Sequence, residues 1–151
     1  MSDTLGTNVV TQIGILCRDI EKTAKAYGDF FGMEYAIQQS GAPEVARAVY
    51  EGSPTPARCR QAFFQLGGVQ LELIEPDEHP SVWRECLDKN GEGLHHLAFW
   101  VKDTDGVLKK LDGAGMPLMQ AGHWPTGRYA YVDARETLKF ILETLENTGE
   151  S

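Results

Sequence analysis

Residues 95–120, HHLAFWVKDTDGVLKKLDGAGMPLMQ, repeat the pattern of residues 11–36, TQIGILCRDIEKTAKAYGDFFGMEYA. Each stretch reads as a β-branched or aromatic strand, a basic residue with an aspartate, an amphipathic helix, a Gly-Met pair and a second strand. In this register Gln12 aligns with His96, Gly14 with Ala98 and Asp19 with Asp103, while Gly32-Met33 falls one short gap from Gly115-Met116. The ends match too: LELIEP (71–76) resembles LETLEN (142–147), which sets Glu72 opposite Glu143. Two copies in the same order make a two-fold internal repeat, not a solenoid array.

Working outward, Asn8 to Cys17 is a strand by composition, and Asp19 caps a helix whose Ile20, Ala24, Tyr27 and Phe31 recur at helical spacing. Gly32 ends that helix, and Met33 to Gln39 reads as a strand. Ser40 to Ala57 is turn-rich, with a short strand expected from Ala46 to Tyr50. Arg58–Leu66 and Val69–Ile74 flank Gly67-Gly68, a hairpin signal because primed turns need positive φ. Ser81 caps a helix over 82–90, and Gly91 and Gly93 end it. Strands over 94–101 and 128–133 follow, and the last strand is LETLEN.

Alternation along a strand assigns faces. Gln12 shares a face with Val10, Gly14 and Leu16; His96 shares one with Ala98 and Trp100. His95 is expected on the opposite face, and Cys17 on the side that packs under the helices. Glu72 lies with Gln70 and Ile74, and Glu143 with Ile141 and Leu145. Each half therefore offers one polar residue on its first strand and one carboxylate on its last. Brought together, they form an imidazole, an amide oxygen and two carboxylates, which suits a divalent cation with mainly oxygen ligands. A structural zinc site would be richer in Cys and His.

Composition narrows the function. Among 151 residues, 22 acidic side chains outnumber 14 basic ones, a net charge of −8, which argues against nucleic acid as a partner. No run approaches the roughly 18 apolar residues of a membrane helix, so no membrane partner is expected. The first residues lack a basic region before an apolar stretch, and the three scattered cysteines form no disulfide framework; a cytoplasmic setting is the expectation. None of Cys17, Cys59 and Cys86 carries a mark of an activated thiolate.

The words TQIGILCRDIEKTAKAY, AFFQLGGVQLELIEP, GEGLHHLAFWVKD and YAYVDARETLKFILETLE resemble the vicinal oxygen chelate (glyoxalase/bleomycin resistance/dioxygenase) superfamily, most closely its methylmalonyl-CoA epimerase and glyoxalase I branch. The resemblance covers about Asn8 to Asn147. It implies an α+β fold: one domain of two tandem βαβββ modules, about 8–76 and 92–147, whose curved mixed sheet surrounds a metal-binding cleft. It also implies the metal ligands Gln12, Glu72, His96 and Glu143, a divalent ion (Co, Ni, Zn or Mn), and a homodimer. By the same resemblance Glu143 is the first choice of catalytic base, leaving the metal when substrate enters, with Glu72 as the opposing group.

Two departures bear on the substrate. Epimerases carry His where this chain has Gln12, and Gln-Glu-His-Glu is a ligand set of some glyoxalases I. Epimerases also place a catalytic glutamate in a word matched here by Cys59-Arg60-Gln61-Ala62, and the Gln61 amide cannot accept a proton from carbon. The resemblance leaves an epimerase acting on an acyl-CoA ester first, a glyoxalase acting on a glutathione hemithioacetal second, and a metal-free binding protein third. Retention of all four metal-competent residues weighs against the third, and ring-cleaving dioxygenases favour two His and one carboxylate. Gln61 and Arg128 are the candidate substrate contacts; Gly122–Arg128 reads first as a tight connection before strand 128–133, and second as a loop over the cup from which Arg128 would hold an anionic group. Arg47, Arg58 and Arg60 are weaker candidates for meeting an anionic group of a coenzyme A ester.

Overall fold

The computed structural model describes residues 3–149. Strand β1 (Gln12–Leu16) leads into α1 (Ile20–Phe31), whose Asp19 cap accepts from the Lys22 amide and whose end is set by Gly32 at φ 65°. The strand expected from Met33 is only β2, Ile37–Gln39. Met33 remains tied to the helix end through its amide on the Gly28 carbonyl, and Tyr35 packs on Phe64, so the chain turns before it can pair. In the next stretch Pro43–Ala46 forms a helical turn, α2, with proline at its start. Arg47 then takes a left-handed φ of 43°, leaving only β3 (Val49–Tyr50) and β4 (Ser53–Pro54) as strands.

The Gly67-Gly68 hairpin joins β5 (Cys59–Leu66) to β6 (Val69–Pro76). Helix α3 (Val82–Asn90) follows, its first turn capped by the buried Ser81 hydroxyl on the Arg84 amide. The second half runs β7 (Gly93–Trp100), α4 (Thr104–Gly113), β8 (Leu118–Trp124), β9 (Gly127–Asp133), the turn α5 (Arg135–Leu138) and β10 (Ile141–Asn147). Residues 122–128 are the tight connection of the β8–β9 hairpin, its strand ends and the turn at 125–126, and not a loop over the cup.

All ten strands form one sheet in the order β2-β5-β6-β1-β7-β10-β9-β8-β3-β4. Within each module the first strand pairs in parallel with the last, β1 with β6 and β7 with β10. The modules join through antiparallel β1 and β7 at the centre. The β3–β4 hairpin crosses from the first module to the outer edge of the second and pairs with β8. On one face, α1 covers Ala62, Phe64, Leu71 and Leu73, and α4 covers Phe99, Val132 and Leu142. Cys17 is in that layer, as its parity indicates. On the other face α3 packs Val82, Trp83, Cys86 and Leu87 against Leu16, Ile74, Ile141 and Tyr131. The result is a curled α+β half-barrel of two βαβββ modules, with α3 on the face opposite α1 and α4.

Candidate metal centre

The central strands carry the four predicted ligands to one point. Across β6, β1 and β7 the register aligns Glu72, Gly14 and His96; one step along, Gln70, Gln12, Ala98 and Glu143 form the next row. His96 and Gln12 are thus diagonal neighbours, and the two glutamates enter from strands on either side of them. The small residues make room. A Cβ on Gly14 would lie 2.0 Å from His96 Cε1, so the imidazole rests where that side chain would be.

The inward atoms are crowded. Gln12 Oε1 lies 2.9 Å from His96 Nε2, 3.2 Å from Glu72 Oε1 and 3.1 Å from Glu143 Oε1. His96 Nε2 lies 3.2 Å from Glu143 Oε1 and 3.6 Å from Glu72 Oε1. All four residues are buried, His96 completely. Three oxygens of acceptor character meeting one ring nitrogen out of water is unfavourable unless a positive charge lies among them. Donors bound to one small divalent ion at about 2.1 Å sit about 3 Å from their neighbours, so the spacing and the donor set both fit.

The Gln12 amide finds partners in either orientation. Its Nε2 donates to Gln70 Oε1 at 2.8 Å, which leaves the oxygen inward. Turned over, the amide would donate to both carboxylates instead. Oxygen inward suits a cation; NH2 inward suits two bare carboxylates.

The charges respond as burial dictates. Burial pushes the Glu72 carboxyl up to about 7, reinforced by Glu143 and opposed by His96 and Gln61. Burial alone would lower His96, but Glu143 and Glu72 outweigh it and hold the imidazole above its ordinary value. Burial raises Tyr129, Tyr131 and Cys59, so the cup wall presents neutral hydroxyl and thiol groups. Tyr131 OH accepts from Trp83 Nε1, and Tyr129 OH accepts from Gln120 Nε2. This wall was visible in the alternating YAYV stretch but not singled out there.

Other candidates are placed differently. Gln61 is in the cup and donates Nε2 to Glu72 Oε2 at 2.7 Å. Arg128 is not with the cluster: its guanidinium pairs with Asp105 of α4 at 2.8 Å. It alternates with Tyr129, a wall residue, and so points to the helix-covered face. Arg60 pairs with Glu21 and Glu75, and Arg58 with the Ser40 carbonyl. Asp77, Glu78 and His79 approach one another at the surface, but Asp77 already accepts from the Arg58 and His79 amides and organises its own loop. A cavity of about 530 Å³ between residues 3–7 and the start of α4 includes none of the four ligands.

His95 corrects the parity reading. The β1–β7 register shifts between Gly14 and Ile15, pairing Gly14 with His96 but Ile15 with Leu94. His95 is the extra residue of a β-bulge, and the bulge turns it toward the cup instead of away from it. It packs edge-on against Tyr131 and His96, with its Nδ1 2.9 Å from His96 Nδ1.

A sequence profile described as the Glyoxalase/Bleomycin resistance protein/Dioxygenase superfamily matches residues 11–132. The chain belongs to this superfamily. Protein YqjC of Bacillus subtilis (strain 168), described as uncharacterized, is 28% identical over 148 residues, 95% of each chain. Among solved structures, methylmalonyl-CoA epimerase from Mycobacterium tuberculosis is 22% identical with a TM-score of 0.66, over 97% of this chain and 93% of that one. Hypothetical protein BH1468 from Bacillus halodurans C-125 is 19% identical at a TM-score of 0.66, over 96% and 98% of the two chains. A Streptomyces coelicolor methylmalonyl-CoA epimerase variant in complex with 2-nitronate-propionyl-CoA is 22% identical at 0.63, over 93% and 97%. At these identities the solved structures speak to the fold, and superfamily membership says that many relatives are enzymes. No helix among the described residues is long and apolar enough to cross a membrane.

Proposed function

We propose that this chain is a divalent-metal isomerase or lyase that removes a proton from carbon next to a carbonyl, with a methylmalonyl-CoA-type acyl thioester as its first candidate substrate. The observation that carries this is the meeting of Gln12, Glu72 and Glu143 oxygens with His96 Nε2 in a buried cluster. These four would hold the ion, which when bound supplies Lewis acidity toward a substrate oxygen, worth several kcal/mol in such reactions.

The chain's own groups divide the remaining work. Gln61 ties down one oxygen of Glu72, fixing that carboxylate in place. Glu143 has no bond comparable to that of Gln61 among the described residues; its Oε1 faces His96 Nε2 at 3.2 Å, and leaving that contact would let it take the proton, as a base within hydrogen-bond reach must. Trp83, Tyr129 and Tyr131 exclude water around it. The bound Gln61 amide also supports a second reading. Two-base epimerisation needs a base on each side of the carbon, whereas one base can carry a proton between the two carbons of a hemithioacetal. Glutathione-dependent lyase chemistry is that alternative.

Metal content by mass spectrometry after exposure to Co, Ni, Zn and Mn should give about one ion per chain. Loaded protein should then exchange substrate α-hydrogen with deuterated water, tested on methylmalonyl-CoA and on methylglyoxal with glutathione. Glu143→Gln should slow exchange roughly 10³-fold with folding intact. Absence of a bound ion would overturn the enzyme reading and leave a metal-free binding protein.

A further inference from the structure

We propose that His95 is a positioning residue: it holds His96 in the tautomer with its proton on Nδ1, so that Nε2 meets Gln12, Glu72 and Glu143 as a lone pair. This rests on the cation reading of that cluster. The two Nδ1 atoms lie 2.9 Å apart, and both rings are buried. One proton between them makes a hydrogen bond; two would clash and none would repel. A ring whose Nε2 binds a cation carries its proton on Nδ1, so His96 donates and His95 Nδ1 accepts.

Ligating histidines usually hand that second N–H to a carboxylate or a backbone carbonyl. Here a neighbouring imidazole takes the part, and the bulge brings it there, because regular alternation would put adjacent side chains on opposite faces. Tyr131 braces the arrangement, with ring centroids 5.4 Å from His95 and 5.1 Å from His96. The remaining His95 nitrogen, Nε2, is buried and makes no well-aligned hydrogen bond, although the Val82 backbone lies beside the ring. An imidazole kept only for packing gains nothing from that orphan; one kept to accept at Nδ1 must carry its proton there.

The test compares the full-length chain with His95→Asn and His95→Leu. Asparagine keeps an acceptor near the Nδ1 position; leucine keeps bulk without one. Zn²⁺ affinity, measured by competition with a chromophoric chelator, should fall about 10–100-fold in His95→Leu and stay within about threefold of wild type in His95→Asn. Long-range ¹⁵N–¹H spectra of the Zn²⁺-loaded wild type should show the His96 proton on Nδ1. Equal affinity in wild type and the leucine variant, or a His96 proton on Nε2, overturns the inference alone. Failure of the wild type to bind Zn²⁺ refutes the cation reading and the inference with it. If His95→Leu does not fold, the wild-type spectra and the asparagine variant decide.

Discussion

Adding a single methyl group at Gly14 should disable the candidate centre from beneath. An alanine Cβ there would lie 2.0 Å from His96 Cε1, 2.2 Å from Nδ1 and 2.7 Å from Nε2. Carbon atoms rest about 3.5–4.0 Å apart, so the overlap is roughly 1.5 Å. The ring is wholly buried and cannot swing aside into solvent. Alanine in a strand ordinarily gains about 0.5–1 kcal/mol over glycine through backbone entropy. Overpacking a full site costs about 1–3 kcal/mol, so the variant should be roughly 1–2 kcal/mol less stable. A ring moved by the overlap also takes Nε2 away from the three oxygens, and Zn²⁺ affinity should fall at least about 100-fold. Urea denaturation of the metal-free protein and chelator competition measure the two effects. Gly41→Ala is the control, since its Cβ would meet Val45 at an ordinary 3.7 Å and should leave both quantities nearly unchanged. A Gly14→Ala protein with wild-type stability and Zn²⁺ affinity would show that His96 does not depend on the space above Gly14, and the geometry argued here would fail.

Further consequences concern charge. In the metal-free protein Glu72 is raised from 4.5 to about 7 and His96 is raised as well, so the folded chain holds more protons than the unfolded one between these values. Stability from Glu72 is therefore present at low pH and lost as pH rises through about 7, on the order of 1–3 kcal/mol, His96 acts in the same direction as pH rises through its own raised pKa, and denaturation from pH 5 to 8 should show the decline. Because a cation competes with those protons, Zn²⁺ affinity should rise over the same interval; a flat profile would contradict the assignment. Gln61→Glu places a third carboxylate beside Glu72 and supplies the missing base; a large rise in methylmalonyl-CoA epimerisation over wild type would mean that the native site is tuned for another substrate. Arg128→Ala should leave metal binding unchanged and cost less than about 1 kcal/mol, since its pair with Asp105 is a surface one.

Much of the fold was legible because strands keep a strict period of two and the repeat states the pattern twice. Gln12, Glu72, His96 and Glu143 could be placed on one face without coordinates, and so could the small residues beneath them. Asp19, Ser81 and Gly32 mark helix ends through local hydrogen bonding and φ, which nearby sequence controls. What escaped was non-local. The bulge at His95 breaks the alternation on which facing was judged, and no residue type there announces it. Met33 to Tyr35 has strand composition, yet the helix-end contacts to Gly28 and Phe64 hold it out of the sheet. The pairing of β3 with β8 joins residues some 70 apart in the chain, and no local signal names that partner. Arg128 was recoverable in principle, for parity with Tyr129 already sends it to the helix-covered side.

The repeat also shows where the two halves stop being equivalent. Phe63 sits opposite Glu72 on the next strand, and Tyr131 sits opposite Glu143 in the matching place. Two residues before each come Gln61 and Tyr129. Gln61 spends its amide on Glu72, whereas the Tyr129 hydroxyl is engaged by Gln120 and Glu143 is left facing His96 Nε2 at 3.2 Å. Nothing in a symmetric scaffold requires this difference. A site meant only to hold an ion would be served by clamping both carboxylates, since fixed ligands bind with less lost entropy. Bonding one carboxylate to an amide and not the other suits a single-base reaction, in which Glu72 would keep the charge in place while Glu143 moved a proton. The asymmetry therefore supports the proposed catalytic role over mere binding, with Glu143 of β10 as the proposed base.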